Sequence, residues 1–270
     1  MSSSRERNDR KGRSARGFPP PGRVRAGGRG PHAERDGAPW LWGLHAVTAA
    51  LANPRRPAPL RLVATPERAR ALAAFEAELL PAGEIARLLP PGAAHQGLAL
   101  KAAPLEPWPL DALACPARGV LLMLDQVTDP QNVGAIFRSA AAMDARGLIL
   151  QDRHAPALAG ALAKAAAGAI EALPHARVTN LSRALEALSD AGWRAIGLAA
   201  DAETDLSDAL DGAPTVLVLG SEGEGLRRLV AEHCELLARI AMSGAFESLN
   251  VSAAAAVALY EAQRRRAASD

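Results

Sequence analysis

The chain has little cysteine, little lysine and no long apolar run. Its two cysteines, Cys115 and Cys234, lie far apart and lack a Cys-x-x-Cys partner, so neither a disulfide framework nor a structural zinc site is indicated. Six histidines are scattered without ligand spacing, and no metal is expected. No stretch approaches the roughly 20 apolar residues that span a bilayer, and no signal-peptide core follows Met1. A soluble, cytoplasmic protein with no membrane attachment is therefore expected. Lysine is confined to Lys11, Lys101 and Lys164, a bias toward arginine that reads as base composition and carries no functional weight.

Hydrophobic residues make up 49% of the 270, enough to bury a substantial core. The formal charge of +2 hides an asymmetry. Residues 1–37 hold ten Arg or Lys against four Asp or Glu, a surplus of six, which leaves −4 on the remainder. An arm so rich in Arg, Gly, Pro and Ser buries too little apolar surface to offset its chain entropy, so disorder is expected, and its charge suits a polyanion. A solubilising tail without a partner is the plainer reading. Glu6, Asp9 and the run Pro19-Pro20-Pro21 argue against an organellar presequence.

Two modules follow. Residues 38–104 read as a small α/β unit: a short helix from His45 to Leu51 stopped at Asn53-Pro54, a strand over Leu60–Ala64, helical composition from Glu67 to Leu80, and a closing strand over Gly97–Leu100. Residues 105–117, which contain Pro107-Trp108-Pro109, read as a linker. From residue 118 to 270, short continuous apolar runs alternate with helical stretches. Strands are expected at Val120–Leu124, Leu148–Leu150, Ala195–Leu198, Thr215–Leu219 and Leu237–Ala241. Helices are expected at Val133–Met143, Ala157–Ala169, Leu181–Ala191, Gly225–His233 and from Val251 to about Arg265. Such alternation means an α/β fold with a parallel sheet covered on both faces.

Three motifs in this region fall at strand ends. In the first, Asn132-Val133-Gly134-Ala135-Ile136-Phe137-Arg138, the preceding Asp129-Pro130 fits a helix entry with Asp129 as N-cap. Asn132 and Arg138 then lie about 600° of rotation apart, some 120° around the helix, so they border one opening without sharing a stripe. Arg138 stands among apolar residues and needs an anionic partner, either a phosphate of a ligand or a carboxylate of the chain such as Asp125. The second motif, Gly220-Ser221-Glu222-Gly223-Glu224-Gly225, follows a strand and lets backbone approach a ligand at the sheet's carboxyl end. It has neither the Gly-Lys-Ser/Thr of a nucleotide triphosphatase nor the spacing of a dinucleotide fingerprint. Glu222 either holds Arg138 or faces water. The third motif runs from Met242-Ser243-Gly244 to Ser248-Leu249-Asn250-Val251-Ser252. Ser248 and Asn250 can cap the last helix, orient a polar substrate, or both.

Taken in this order, the motifs resemble the SpoU or TrmH branch of the SPOUT superfamily of RNA ribose 2′-O-methyltransferases, over about residues 118–266, with Lys164-Ala165-Ala166-Ala167-Gly168-Ala169 included. Leu41-Trp42-Gly43-Leu44-His45-Ala46-Val47 and His95-Gln96-Gly97 resemble the small RNA-binding module of the RlmB group, which acts on a guanosine of 23S ribosomal RNA. The resemblance implies a trefoil-knotted methyltransferase domain, S-adenosylmethionine as methyl donor, RNA or an assembling large ribosomal subunit as partner, and a homodimer whose sites combine both protomers. It places donor contacts on Gly220, Ile240 and Leu249, the reactive group on Arg138, and the acceptor site on Asn132, Glu222, Ser248 and Asn250. Ile240-Ala241-Met242 departs from the family's usual Ile-Pro-Met and loses backbone stiffness beside the donor. Transfer RNA is the alternative substrate, and a non-catalytic RNA-binding assembly factor is the alternative from another class. Whether Arg138 acts as base or grips phosphate and developing alkoxide stays open, because a guanidinium remains protonated at neutral pH.

Overall fold

A computed structural model describes residues 37–72, 75–243 and 248–269. The basic arm, apart from Gly37, lies outside the described residues, as do Ala73 and Ala74 and the residues from Gly244 to Glu247.

The amino-terminal segment forms β1 (Trp40–Trp42), α1 (Leu44–Ala52), β2 (Arg61–Ala64), α2 (Pro66–Ala71), β3 (Glu78–Leu79), α3 (Ala82–Arg87) and β4 (Leu98–Lys101). The strands make a four-stranded sheet in the order β1-β4-β2-β3, antiparallel except for the β2–β3 pair. Side chains alternate across it, as the two-residue strand period requires. Val63 and Ala99 pack with Trp42, Ile85 and Leu89 on the α3 side, whereas Leu62, Ala64, Leu98 and Leu100 pack with α1 and join the core of the larger domain. The helix expected from Glu67 to Leu80 is replaced by a six-residue helix and a short strand. The free edge of β2 recruits Glu78 and Leu79 as pairing partners, and the Arg61–Glu78 ion pair at 2.8 Å and the Leu80 N–H to Ala64 carbonyl bond at 3.0 Å fasten the addition. Tertiary pairing here overrides helix propensity.

The stretch read as a linker is packed against the large sheet. It carries α4 (Leu110–Ala114), whose Leu113 and Ala114 are buried, and the Trp108 N–H donates to the His175 carbonyl at 2.7 Å.

The carboxy-terminal region continues with β5 (Val120–Leu124), α5 (Pro130–Ala142), β6 (Gly147–Gln151), α6 (Gly160–Ala166), α7 (Ala169–Ala172), β7 (His175–Val178), α8 (Leu181–Asp190), β8 (Arg194–Leu198), β9 (Thr204–Asp205), α9 (Leu206–Ala209), β10 (Thr215–Leu219), α10 (Arg228–Glu232), β11 (Leu236–Arg239) and α11 (Val251–Ser269). Its strands form one seven-stranded sheet, order β7-β6-β5-β10-β8-β11-β9, parallel throughout. Leu122, Leu124, Leu148, Leu150, Leu217 and Leu219 face the layer of α5, α6 and α11, while Leu121, Met123, Ile149, Val216 and Val218 face α4, α8 and α10. Burial on both faces explains why these strands read as unbroken apolar runs. The helix expected at Ala157–Ala169 is two helices, α6 and α7, broken where Ala167 and Gly168 both take the left-handed conformation (φ 50° and 93°). No described helix is long and apolar enough to cross a membrane.

Candidate active site

Three parallel strands, β8, β10 and β11, end side by side at their carboxyl edge, and a cavity of about 640 Å³ opens there. Its apolar wall comes from Leu198, Leu219, Ala238, Ile240 and Leu249, and its polar rim from Ser221, Glu222, Ser248 and Asn250. The carboxyl end is where open parallel sheets leave a crevice between departing loops.

The loop from Gly220 to Gly225 closes on itself. Ser221 and Gly225 exchange two backbone hydrogen bonds of 3.1 Å, and a Cβ on Gly220 would lie 2.1 Å from the Gly225 carbonyl carbon. Only glycine fits at that position, because the backbone itself occupies the side-chain space. The loop is anchored behind by Arg227, whose backbone N–H and Nε donate to Asp125 at 2.9 and 2.7 Å; its Nη2 also reaches the Gln151 amide oxygen at 3.3 Å. Asp125 is 0% exposed, at the end of β5. A carboxylate buried to that degree requires such a partner.

Helix α5 begins as its sequence dictates: Asp129 accepts the Asn132 N–H at 2.8 Å, with Pro130 at the first helical position. The Asn132 side chain then meets the other two motifs. Its Nδ2 donates to Glu222 Oε1 at 3.0 Å, and its Oδ1 accepts from Asn250 Nδ2 at 3.0 Å. Asn250 Nδ2 also donates to Glu222 Oε1 at 2.6 Å, and the Val251 N–H approaches the same oxygen at 3.4 Å. The Asn250 Oδ1 accepts from the N–H and hydroxyl of Ser252, so the residue caps α11 while its amide nitrogen serves the cavity rim. Of the two roles expected of Asn250, the helix cap is seen directly, and its amide nitrogen bonds Glu222 and Asn132 at the cavity rim.

A match to the SpoU rRNA methylase family model covers residues 119–260, which spans all three motifs and the cavity. The chain belongs to that family. A 23S rRNA (guanosine-2′-O-)-methyltransferase RlmB of Pseudomonas syringae pv. tomato is 42% identical over 179 residues, 64% of this chain and 72% of that protein. An uncharacterised tRNA/rRNA methyltransferase of Synechocystis is 45% identical over 177 residues, also 64% of this chain but 46% of its own length. The chain thus spans about half the length of that relative. Among solved structures, the SpoU methyltransferase AviRb of Streptomyces viridochromogenes, in complex with the cofactor AdoMet, superposes with a TM-score of 0.73 at 26% identity, covering 86% of this chain and 92% of that one.

Within this SpoU domain, Gly220, Glu222, Ile240, Ser248, Leu249 and Asn250 line one cavity, and Asn132 is hydrogen-bonded to its rim. Arg138 is not among the lining residues. It lies exposed farther along α5, with no ion pair or side-chain hydrogen bond to another described residue. The alternative in which Asp125 holds Arg138 does not occur, because Arg227 takes Asp125. Sequence reading missed Arg227 and Gln151. The only local signal was the lone carboxylate directly after the apolar run of β5, since its partner follows 102 residues later.

Proposed function

We propose that the chain transfers the methyl group of S-adenosylmethionine to a ribose 2′-hydroxyl of RNA, with a guanosine of 23S ribosomal RNA as target and the cytoplasm as its place of action. The observation that carries this reading is the joining of Asn132, Glu222 and Asn250, from three separate motifs, at the rim of a glycine-walled cavity. Family membership and the RlmB relative support the substrate class.

The cavity fits the donor. Its volume lies in the range of small-molecule sites, its floor is aliphatic, and the crowding at Gly220 leaves backbone rather than side chain facing inward. We assign donor contacts to Gly220, Ile240 and Leu249. When bound, S-adenosylmethionine supplies an electrophilic methyl on a sulfonium. Glu222, Ser248, Asn250 and Asn132 hold the acceptor ribose so that its hydroxyl points along the line of displacement, and such positioning contributes much of the rate in transfers of this kind. Arg138 grips an RNA phosphate and stabilises the alkoxide as it develops, while a neighbouring phosphate oxygen or water takes the hydroxyl proton; the base role is open to it only if its guanidinium is first deprotonated.

The exposed position of Arg138 outside the cavity supports a homodimer in which each chain lends its guanidinium to the other's site. Val257 and Tyr260, 43% and 57% exposed on α11, supply an apolar face for that pairing. We also assign the family's knotted topology to the region 118–270. Arg138→Ala tests the reading: methyl transfer to ribosomal RNA should be lost while calorimetry shows donor binding within about twofold of wild type. Near-normal turnover would remove Arg138 from the mechanism. A monomer in sedimentation at micromolar concentration would remove the shared site.

A further inference from the structure

Three sequence motifs have no part in the cavity, Leu41 to Val47, His95-Gln96-Gly97, and Lys164 to Ala169, yet they meet at one point. The Gln96 amide oxygen accepts the Leu44 backbone N–H at 3.1 Å and the Lys164 ammonium at 2.5 Å. Gln96 itself is held at φ 55°, a conformation that side chains other than glycine seldom adopt, and its carbonyl accepts from Arg68 Nε at 3.1 Å. One amide thus ties α1 of the small module to α6 of the SpoU domain.

A second tie lies at the other end of the same surface. Glu171, on α7, accepts Arg56 Nε and Nη2 at 2.9 and 2.7 Å and Asn53 Nδ2 at 2.7 Å. The Arg56 and Glu171 side chains are 4% and 7% exposed. A paired charge buried so deeply defines one docked geometry, since any displacement strands a desolvated ion. The small module is therefore clamped along α6 and α7.

What α6 does next gives the clamp its consequence. It lies directly against α5: a Cβ on Gly134 would sit 2.5 Å from the Leu162 carbonyl oxygen and 2.6 Å from the Ala165 methyl. Two backbones in such contact move together, because close-packed interiors do not deform continuously. Gly134 is two residues from Asn132, whose amide bonds Glu222 and Asn250 at the cavity rim.

We propose that the small module is a positioning element for the acceptor site, acting through Gln96, Lys164, α6 and α5 on Asn132. Lys164 is accordingly a positioning residue. RNA held by the module would reach a rim whose geometry the same module sets.

The test uses the full chain with Lys164→Met, Gln96→Leu, the double variant, and Gln96→Glu, which keeps the acceptor. Hydrogen exchange is read in α5 and, as a folding control, in β10; kinetics are read with ribosomal RNA and S-adenosylmethionine. Each disruptive single variant should speed exchange in α5 by about three- to tenfold and lower kcat by a similar factor, with the KM for S-adenosylmethionine and the β10 protection unchanged. The double variant should be no worse than either single one, and Gln96→Glu should behave as wild type. Unchanged α5 exchange in both single variants, or losses that add in the double variant, would overturn the proposal. The kinetic arm rests on the transfer activity proposed above. A wild-type chain without turnover would defeat that activity while the exchange arm still decides the coupling.

Discussion

His175 should make this protein lose stability in mild acid. The imidazole is 1% exposed on β7, and neither ring nitrogen has a hydrogen-bond partner among the described residues. Burial first, then the nearby charges of Arg177, Arg55 and Arg56, push its pKa down to about 4. An unfolded histidine titrates near 6.5, so below that pH the unfolded chain binds a proton that the folded chain refuses. The stabilisation from keeping the ring neutral is complete above pH 6.5 and is lost progressively as pH falls toward 4. Between pH 7.5 and 5 the loss amounts to about 2 kcal/mol. The ring packs edge-on to Phe137 of α5 at 6.2 Å. Urea unfolding at pH 7.5, 6 and 5 should show this dependence in wild type, and His175→Leu should flatten it by about 2 kcal/mol. Parallel losses in the two proteins would refute the assignment and place the acid sensitivity elsewhere.

Gly220→Ala should weaken S-adenosylmethionine binding by at least about tenfold in calorimetry, because the new methyl meets the Gly225 backbone rather than a movable side chain. Asp125→Ala removes the two hydrogen bonds by which Arg227 anchors the same loop, and chemical denaturation should show a cost of about 2–3 kcal/mol. Removing residues 1–36 should lower RNA affinity and reduce the slope of its salt dependence, as the loss of up to ten basic side chains requires; an unchanged slope would leave the arm without an RNA role.

Legibility differed sharply between elements. β5 and β10 were plain, because Val-Leu-Leu-Met-Leu and Thr-Val-Leu-Val-Leu are buried on both faces and need no polar alternation. β7 was not, since His175 and Arg177 break the apolar run and their places are justified only by the layers above them. β3 escaped notice for a related reason: Glu78 and Leu79 are exposed and become a strand only through the open edge of β2. In the site, Asn132, Glu222 and Asn250 were legible as motif residues, but their mutual hydrogen bonds join positions 28 to 118 residues apart.

Patterns that act over a few residues were therefore set by the sequence itself: the alternation of strand and helix, the Asp129-Pro130 helix entry, and Gly220, whose side-chain space is taken by the Gly225 backbone. The tertiary structure alone decided the strand order, which inserts β10 between β5 and β8 and so brings three strand ends to one cavity. It also decided that Asp125 holds Arg227 and leaves Arg138 facing outward. The reason is one of range. Capping and periodicity are satisfied within a turn or a strand, whereas the partner of a buried charge is whichever group packing delivers, and no local pattern records that choice.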